Sequence, residues 1–293
     1  MLTLPSPLQR ALGLGAVAFL LSSVGAHAQA TFSGTYNQNF DGMGSGTTAP
    51  TGWSAVSEAG SHDTFSPSGN PSGTGVLPNL TSGSLTTVSL VAGTPGTQKS
   101  TSGYNFAATG LTGVTGDRAL GTSPSGNAAT ILELSLTNST GSAISALSLS
   151  YDIDRFTTTA ANNSDYASSP TVGVEENPGY NLYFSLNGGT SWTAVSSLNP
   201  TLAGPGGVVV PNSTGVTNVS DPLLNLGGSW AAGGNLRLAW IDDNAQSPSP
   251  DQLLGLNNVS ISVAAAPEPS SGLLGVVAAF GAAALLRFRR MRA

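Results

Sequence analysis

Three pairs of carboxylates are the groups in this chain best placed by type and spacing to do chemistry: Asp152 with Asp154, Glu175 with Glu176, and Asp242 with Asp243. Hydrolysis of a glycosidic bond needs two carboxyls about 5–10 Å apart, one of them held protonated. Asp152 and Asp154 are two residues apart, which on an extended strand puts them on one face at about 7 Å. The same alternation sets them opposite Tyr151 and Ile153, on the face turned to water. There both stay ionised and neither serves as a general acid. His62 is the only histidine beyond the N-terminal segment, so no two-histidine metal site can form. Its neighbours Ser61 and Asp63 alternate away from it along an extended chain, so the run is no triad. Ser123-Pro124-Ser125-Gly126 lacks the form of a nucleophile elbow. The chain has no cysteine, hence no thiolate nucleophile, disulfide or Cys-ligated metal. No catalytic residue is assigned, and a non-enzymatic role is expected.

The same oxygens suit a cation better. Calcium takes roughly six to eight oxygen ligands from carboxylates, amides and carbonyls. Asp242-Asp243-Asn244 follows a strand pattern, where loop carbonyls are at hand, although the glycine and distal glutamate of an EF-hand are missing. Sugar contact would instead use an exposed aromatic ring. Of Trp53, Trp192, Trp230 and Trp240, the last shares a face with Leu236 and Leu238 and reads as core. Trp230, between glycine-rich stretches, is the expected ligand-facing ring.

These groups need strands to hold them. Apolar residues alternate at Leu132, Leu134 and Leu136; at Leu147, Leu149, Tyr151 and Ile153; and at Tyr180, Leu182, Phe184 and Leu186. The pattern recurs at Leu236, Leu238 and Trp240 and at Val259, Ile261 and Val263, with polar residues in many alternate places. One dry and one wet face per strand is the mark of antiparallel sheets. Asn138-Ser139-Thr140-Gly141 and Asn187-Gly188-Gly189 supply hairpin-type turns between such runs. Segments 41–52, 66–75, 93–103 and 121–128 read as long loops. Charged residues are only 8% of the chain, against roughly 25% in ordinary soluble domains. The expected fold is all-β, an antiparallel β-sandwich of jelly-roll type. Within 29–266, Lys99, Arg118, Arg155 and Arg237 face fourteen acidic residues, a balance that excludes nucleic acid as a partner.

Both ends read as addresses. Arg10, an apolar run over 11–25 and Ala26-His27-Ala28 have the order of a secretory signal cleaved after Ala28, implying passage through the Sec translocon. At the other end Pro267-Glu268-Pro269 precedes an apolar run and a basic stop of Arg287, Arg289, Arg290 and Arg292. That order resembles the PEP-CTERM sorting signal of Gram-negative exopolysaccharide producers. The resemblance implies an exosortase-type transpeptidase as partner, a hydrophobic C-terminal helix in the membrane before processing, and a place at the cell envelope surface or outside the cell. The expected layout is a signal helix over 1–28, the sandwich over 29–265 and a sorting tail over 266–293. Its parts are the triplet at 267–269, a transmembrane helix over 270–286 and the basic tail at 287–292.

The middle resembles jelly-roll modules of secreted bacterial proteins. Asn39-Phe40-Asp41-Gly42 with Gly52-Trp53-Ser54 is similar to their opening, and Leu236 to Trp240 with Leu256 to Ile261 to their close. In such modules a structural calcium often joins the opening and closing strands, which implies Asp41 near Asn257 or Asn258. Ser185-x-Asn187-x-Gly189-x-Ser191-Trp192 is similar to the Asp-box hairpin, a structural element without catalysis. Three functions follow as expectations. The first is a surface or matrix protein associated with exopolysaccharide. The second is a carbohydrate-binding module, stabilised by calcium in one version. The third is a polysaccharide hydrolase or lyase.

Overall fold

The computed structural model describes residues 28–59, 80, 85–96, 102–124, 128–157, 179–201, 208–209, 213–242 and 252–264. In chain order the strands are β1 Ala30–Phe32, β2 Thr35–Gln38, β3 Trp53–Ala59, β4 Thr86–Val88, β5 Leu90–Gly93, β6 Gly103–Ala107, β7 Arg118–Thr122 and β8 Ala128–Asn138. They continue with β9 Ile144–Arg155, β10 Asn181–Ser185, β11 Thr193–Ala194, β12 Pro200–Thr201, β13 Val208–Val209, β14 Gly215–Trp230, β15 Asn235–Asp242 and β16 Leu254–Val263. A four-residue helix, α1 Thr109–Thr112, precedes β7.

Two seven-stranded sheets result. The first runs β11-β10-β15-β8-β3-β4 with β1 beside the end of β8, and the second runs β14-β9-β16-β7-β6-β5 with β2 beside β16. Pairing is antiparallel except for β1 with β8, β5 with β6 and β12 with β13. The antiparallel sandwich expected from alternation is the fold observed.

The inward rows are those the alternation marked. Leu132, Leu134, Leu136, Leu236, Leu238 and Trp240 of the first sheet bury against Leu147, Leu149, Tyr151, Ile153, Val259 and Ile261 of the second. Each such side chain contributes about 1.5–3 kcal/mol when fully buried, and this is the main source of stability. Val263 departs from its row: at the end of β16 it is 44% exposed. Trp53 stacks on Trp240 at 5.3 Å and meets the edge of Phe40 at 5.0 Å, while its Nε1 donates to Tyr36 Oη at 2.6 Å. The opening and closing motifs are thus one aromatic core. Phe40 adopts φ 62°, a left-handed conformation costly for a bulky residue, with its ring wholly buried.

Several expectations need correction. The turn at 138–141 is present, with Gly141 at φ 79°, but it carries the chain from one sheet to the other and closes no hairpin. The turn at 187–189 does close one, between β10 and β11. Within the segments read as loops, 121–122 ends β7, 128 begins β8, and both 93 and 103 lie in strands. The long strand β14 was not foreseen at all. Helices flanking the sandwich are the largest correction. Among the described residues no helix is long and apolar enough to cross a membrane. The segments meant to supply them, 1–27 and 265–293, lie outside the described residues, as do Ala26, the Pro267-Glu268-Pro269 triplet and the four arginines of the basic stop. The transmembrane helix, and with it the membrane anchor, the Sec and exosortase partnerships and the envelope location that rested on it, has no element in the described fold.

Candidate ligand-binding site

Polar groups gather in three places, two on the outer faces of the sheets and one between the sheets. On the outer face of the first sheet, Glu133 of β8 and Arg237 of β15 occupy positions between core-facing leucines. Arg237 pairs with Ser135, one step from Glu133 in register, so the two side chains meet diagonally. Arg237 Nη2 donates to Glu133 Oε2 at 2.6 Å, and the side chains are 19% and 5% exposed. The guanidinium carbon lies 5.4 Å from the centre of the Trp192 ring, a cation–π contact. Its Nη1 donates to the Gly188 carbonyl at 3.1 Å.

Trp192 is delivered by the hairpin that resembles an Asp-box. Asn187 Oδ1 accepts from Ser185 Oγ and from the Ser191 amide, and Asn187 Nδ2 donates to Ser191 Oγ. Ser185 Oγ accepts from the Gly189 amide at 2.9 Å. Gly189 has φ 94°, a conformation that favours glycine, and a Cβ there would stand 2.4 Å from Arg237 Nη1 and push the guanidinium aside. Trp192 stays half-buried against Ile131, Tyr183, Ala239 and Ile241. Trp192 Nε1 and Glu133 Oε1 are buried atoms without a hydrogen-bond partner.

On the outer face of the second sheet the expected wet row holds as far as Asp152 and ends at Asp154. Asp152 is half-buried, but Asp154 is 0% exposed. A chain segment runs over this face: α1 reaches β14 although it leads into β7, so residues 109–117 cross over β16 and β9. Asp117, at the end of that crossing, accepts from Thr112 Oγ1 and from Asn257 Nδ2. Asn257 Nδ2 also donates to Asp154 Oδ2 at 3.2 Å, which leaves Asp154 Oδ1 buried without a partner. Asp154 is pushed up to about 7, chiefly by burial, opposed by the Asn257 hydrogen bond and reinforced by the charges of Asp117 and Asp152. Asp152 accepts from Asn218 Nδ2 and Asn258 Nδ2, both at 2.8 Å. A bulge at Asn258, with φ 47°, makes this arrangement: between Asn257 and Ser260 the register with β9 shifts.

Between the sheets at the same end, Asp242 of β15 accepts from Thr122 Oγ1, and Thr122 Oγ1 lies 3.0 Å from Tyr180 Oη. All three residues are fully buried. Burial, then the charge of Asp242, holds the Tyr180 phenol well above its ordinary range.

The five residues expected around a cation are therefore not one site. Asp242 faces the interior from the first sheet, while Asn257 and Asn258 belong to the second, and Asp243 lies outside the described residues. Asp41 is half of what was expected: its Oδ1 accepts from the Arg118 amide, next to the Asp117 that holds Asn257. The opening and closing segments do meet there, but through N–H donors. Asp41 Oδ2 accepts from Asn39 Nδ2 and Asn257 Oδ1 from the Asn258 amide. Oxygens turned toward donors are not turned toward a cation, and no group of three acidic or histidine side chains able to hold a metal occurs among the described residues. Trp230 is not a platform either. It is 1% exposed, lies 5.0 Å from the Phe32 ring and donates from Nε1 to the Gly234 carbonyl. His62, Glu175 and Glu176 lie outside the described residues. Glu133 and Arg237 escaped the sequence reading; their signal was a pair of opposite charges at the outward positions of two leucine strands.

Fold and sites together define a two-sheet β-sandwich with a tryptophan-bearing hairpin on one outer face. No family model matches the chain, and no curated protein matches it.

Proposed function

We propose that this chain is a non-catalytic carbohydrate-binding module that takes a neutral sugar at the niche formed by Trp192, Arg237 and Glu133. The observation that carries the reading is that Trp192 keeps part of its surface exposed while Trp53, Trp230 and Trp240 are buried. A sugar packs its C–H face on such a ring and offers hydroxyls that both donate and accept. Arg237 and Glu133 cancel each other's charge, so the niche favours an uncharged residue over a uronate. The matrix-protein reading draws its support from terminal segments outside the described residues, whereas the sugar-binding reading draws its support from described ones. A hydrolase is disfavoured by Asp154: it has the pKa of a general acid but no exposed surface to offer a substrate.

Affinity electrophoresis through gels containing neutral glucans, mannans or galactans tests the proposal. Retardation in at least one neutral gel, lost in Trp192→Ala at unchanged melting temperature, is the expected result. Equal retardation of the variant, or retardation only by uronate polymers, overturns it.

A further inference from the structure

We propose that Asp154, Asn257 and Asp117 form a proton-operated clasp that fastens residues 109–117 across the outer face of the second sheet and loosens as the solution turns alkaline. The single Asn257 amide nitrogen donates to both carboxyls, at 3.1 Å to Asp117 and 3.2 Å to Asp154. The two carboxyls differ in their surroundings. Asp117, 9% exposed, has a donor on each oxygen, Asn257 Nδ2 and Thr112 Oγ1. Asp154 has one donor, no exposure and an oxygen without a partner.

Burial and two like charges oppose ionisation of Asp154, against the Asn257 hydrogen bond and the charge of Arg155, which favour it. On its own strand β9, Asp152 adds a like charge, while Arg155, the opposing charge, also donates to the Ser213 carbonyl and Thr217 Oγ1. Its register partner on β14 is Val216 and on β16 is Gly255, and neither titrates. The crossing segment brings Asp117, a second like charge. Gly255 fits here because a Cβ would stand 2.7 Å from Ala119 Cβ, 2.9 Å from the Phe156 ring and 3.3 Å from Asp154 Cβ. When the Asp154 proton leaves to solvent, two buried carboxylates share one amide donor. The relief available is for the segment bearing Asp117 to lift away.

Hydrogen exchange of the full chain from pH 5 to 9, corrected for the intrinsic rate, reads the clasp directly. Amides of 109–117 should lose protection about tenfold per pH unit once above neutrality, while those of β8 and β15 hold theirs. Asp154→Asn should keep 109–117 protected across the range, and Asp152→Asn should leave the alkaline loss in place. A carboxyl-carbon NMR titration of the unsubstituted chain supplies a check that needs no variant: one aspartate should titrate near pH 7. Protection of 109–117 that is flat to pH 9, or no carboxyl titrating above pH 6, overturns the proposal.

Discussion

The outer faces of the two sheets are built from the same alternation and meet opposite fates. On the first, Glu133 and Arg237 neutralise each other at the edge of a tryptophan, and the pair keeps some contact with solvent. On the second, the carboxyl groups of Asp117, Asp152 and Asp154 gather without a described cation between them and the sheet surface, and Asp154 has no contact with water. A paired charge beside a half-open ring forms a recognition surface; a like-charged group under cover stores electrostatic work instead. What separates them is which piece of chain crosses each face.

Substitutions can break that comparison or sharpen it. Asp154→Asn should raise unfolding free energy at pH 9 by up to about 4 kcal/mol, from the roughly three-unit rise above 3.8. The sign follows from a folded pKa above the unfolded one. The contribution of the neutral carboxyl is complete below about pH 4 and lost as pH rises through 7, so the variant and its parent should coincide in urea melts at pH 4. Trp230→Ala should cost about 3–5 kcal/mol at any pH; an unchanged melt with lost sugar retention would restore that ring as a platform. Gly189→Ala should cost about 1–2 kcal/mol through its positive φ and displace Arg237 from Trp192, visible as a change in tryptophan fluorescence. Asn258→Ala removes the donor to Asp152 and leaves a left-handed residue without local support, for about 1 kcal/mol by denaturant midpoint. Leu223→Ser, at a position 54% exposed, should stay within about 0.5 kcal/mol and sets the baseline.

Legibility differed between elements for physical reasons. Leu132 to Leu136 and Leu236 to Trp240 announced themselves because every second residue is apolar and all of those face the core. β14 was silent: Pro222, Gly227 and Gly228 interrupt its pattern, and two register shifts against β9 change which side chains face inward. Trp230 misled because glycines beside it suggested a turn, whereas it ends that strand and fills the core beside Phe32. Asp152 and Asp154 were assigned to a wet face from β9 alone, and nothing in β9 shows that 109–117 lies over it.

Local alternation and turn chemistry were enough to determine a two-layer antiparallel sandwich, its inward rows and the 187–189 hairpin, since these depend only on neighbours along the chain. Tertiary structure alone decided which carboxylate is buried, which tryptophan stays open, and that Glu133 meets Arg237 while Asp242 and Asn257 stay apart. Each of those outcomes depends on strand register or on a distant segment crossing a face, and both are fixed by burial summed over the whole molecule rather than by any short stretch of residues.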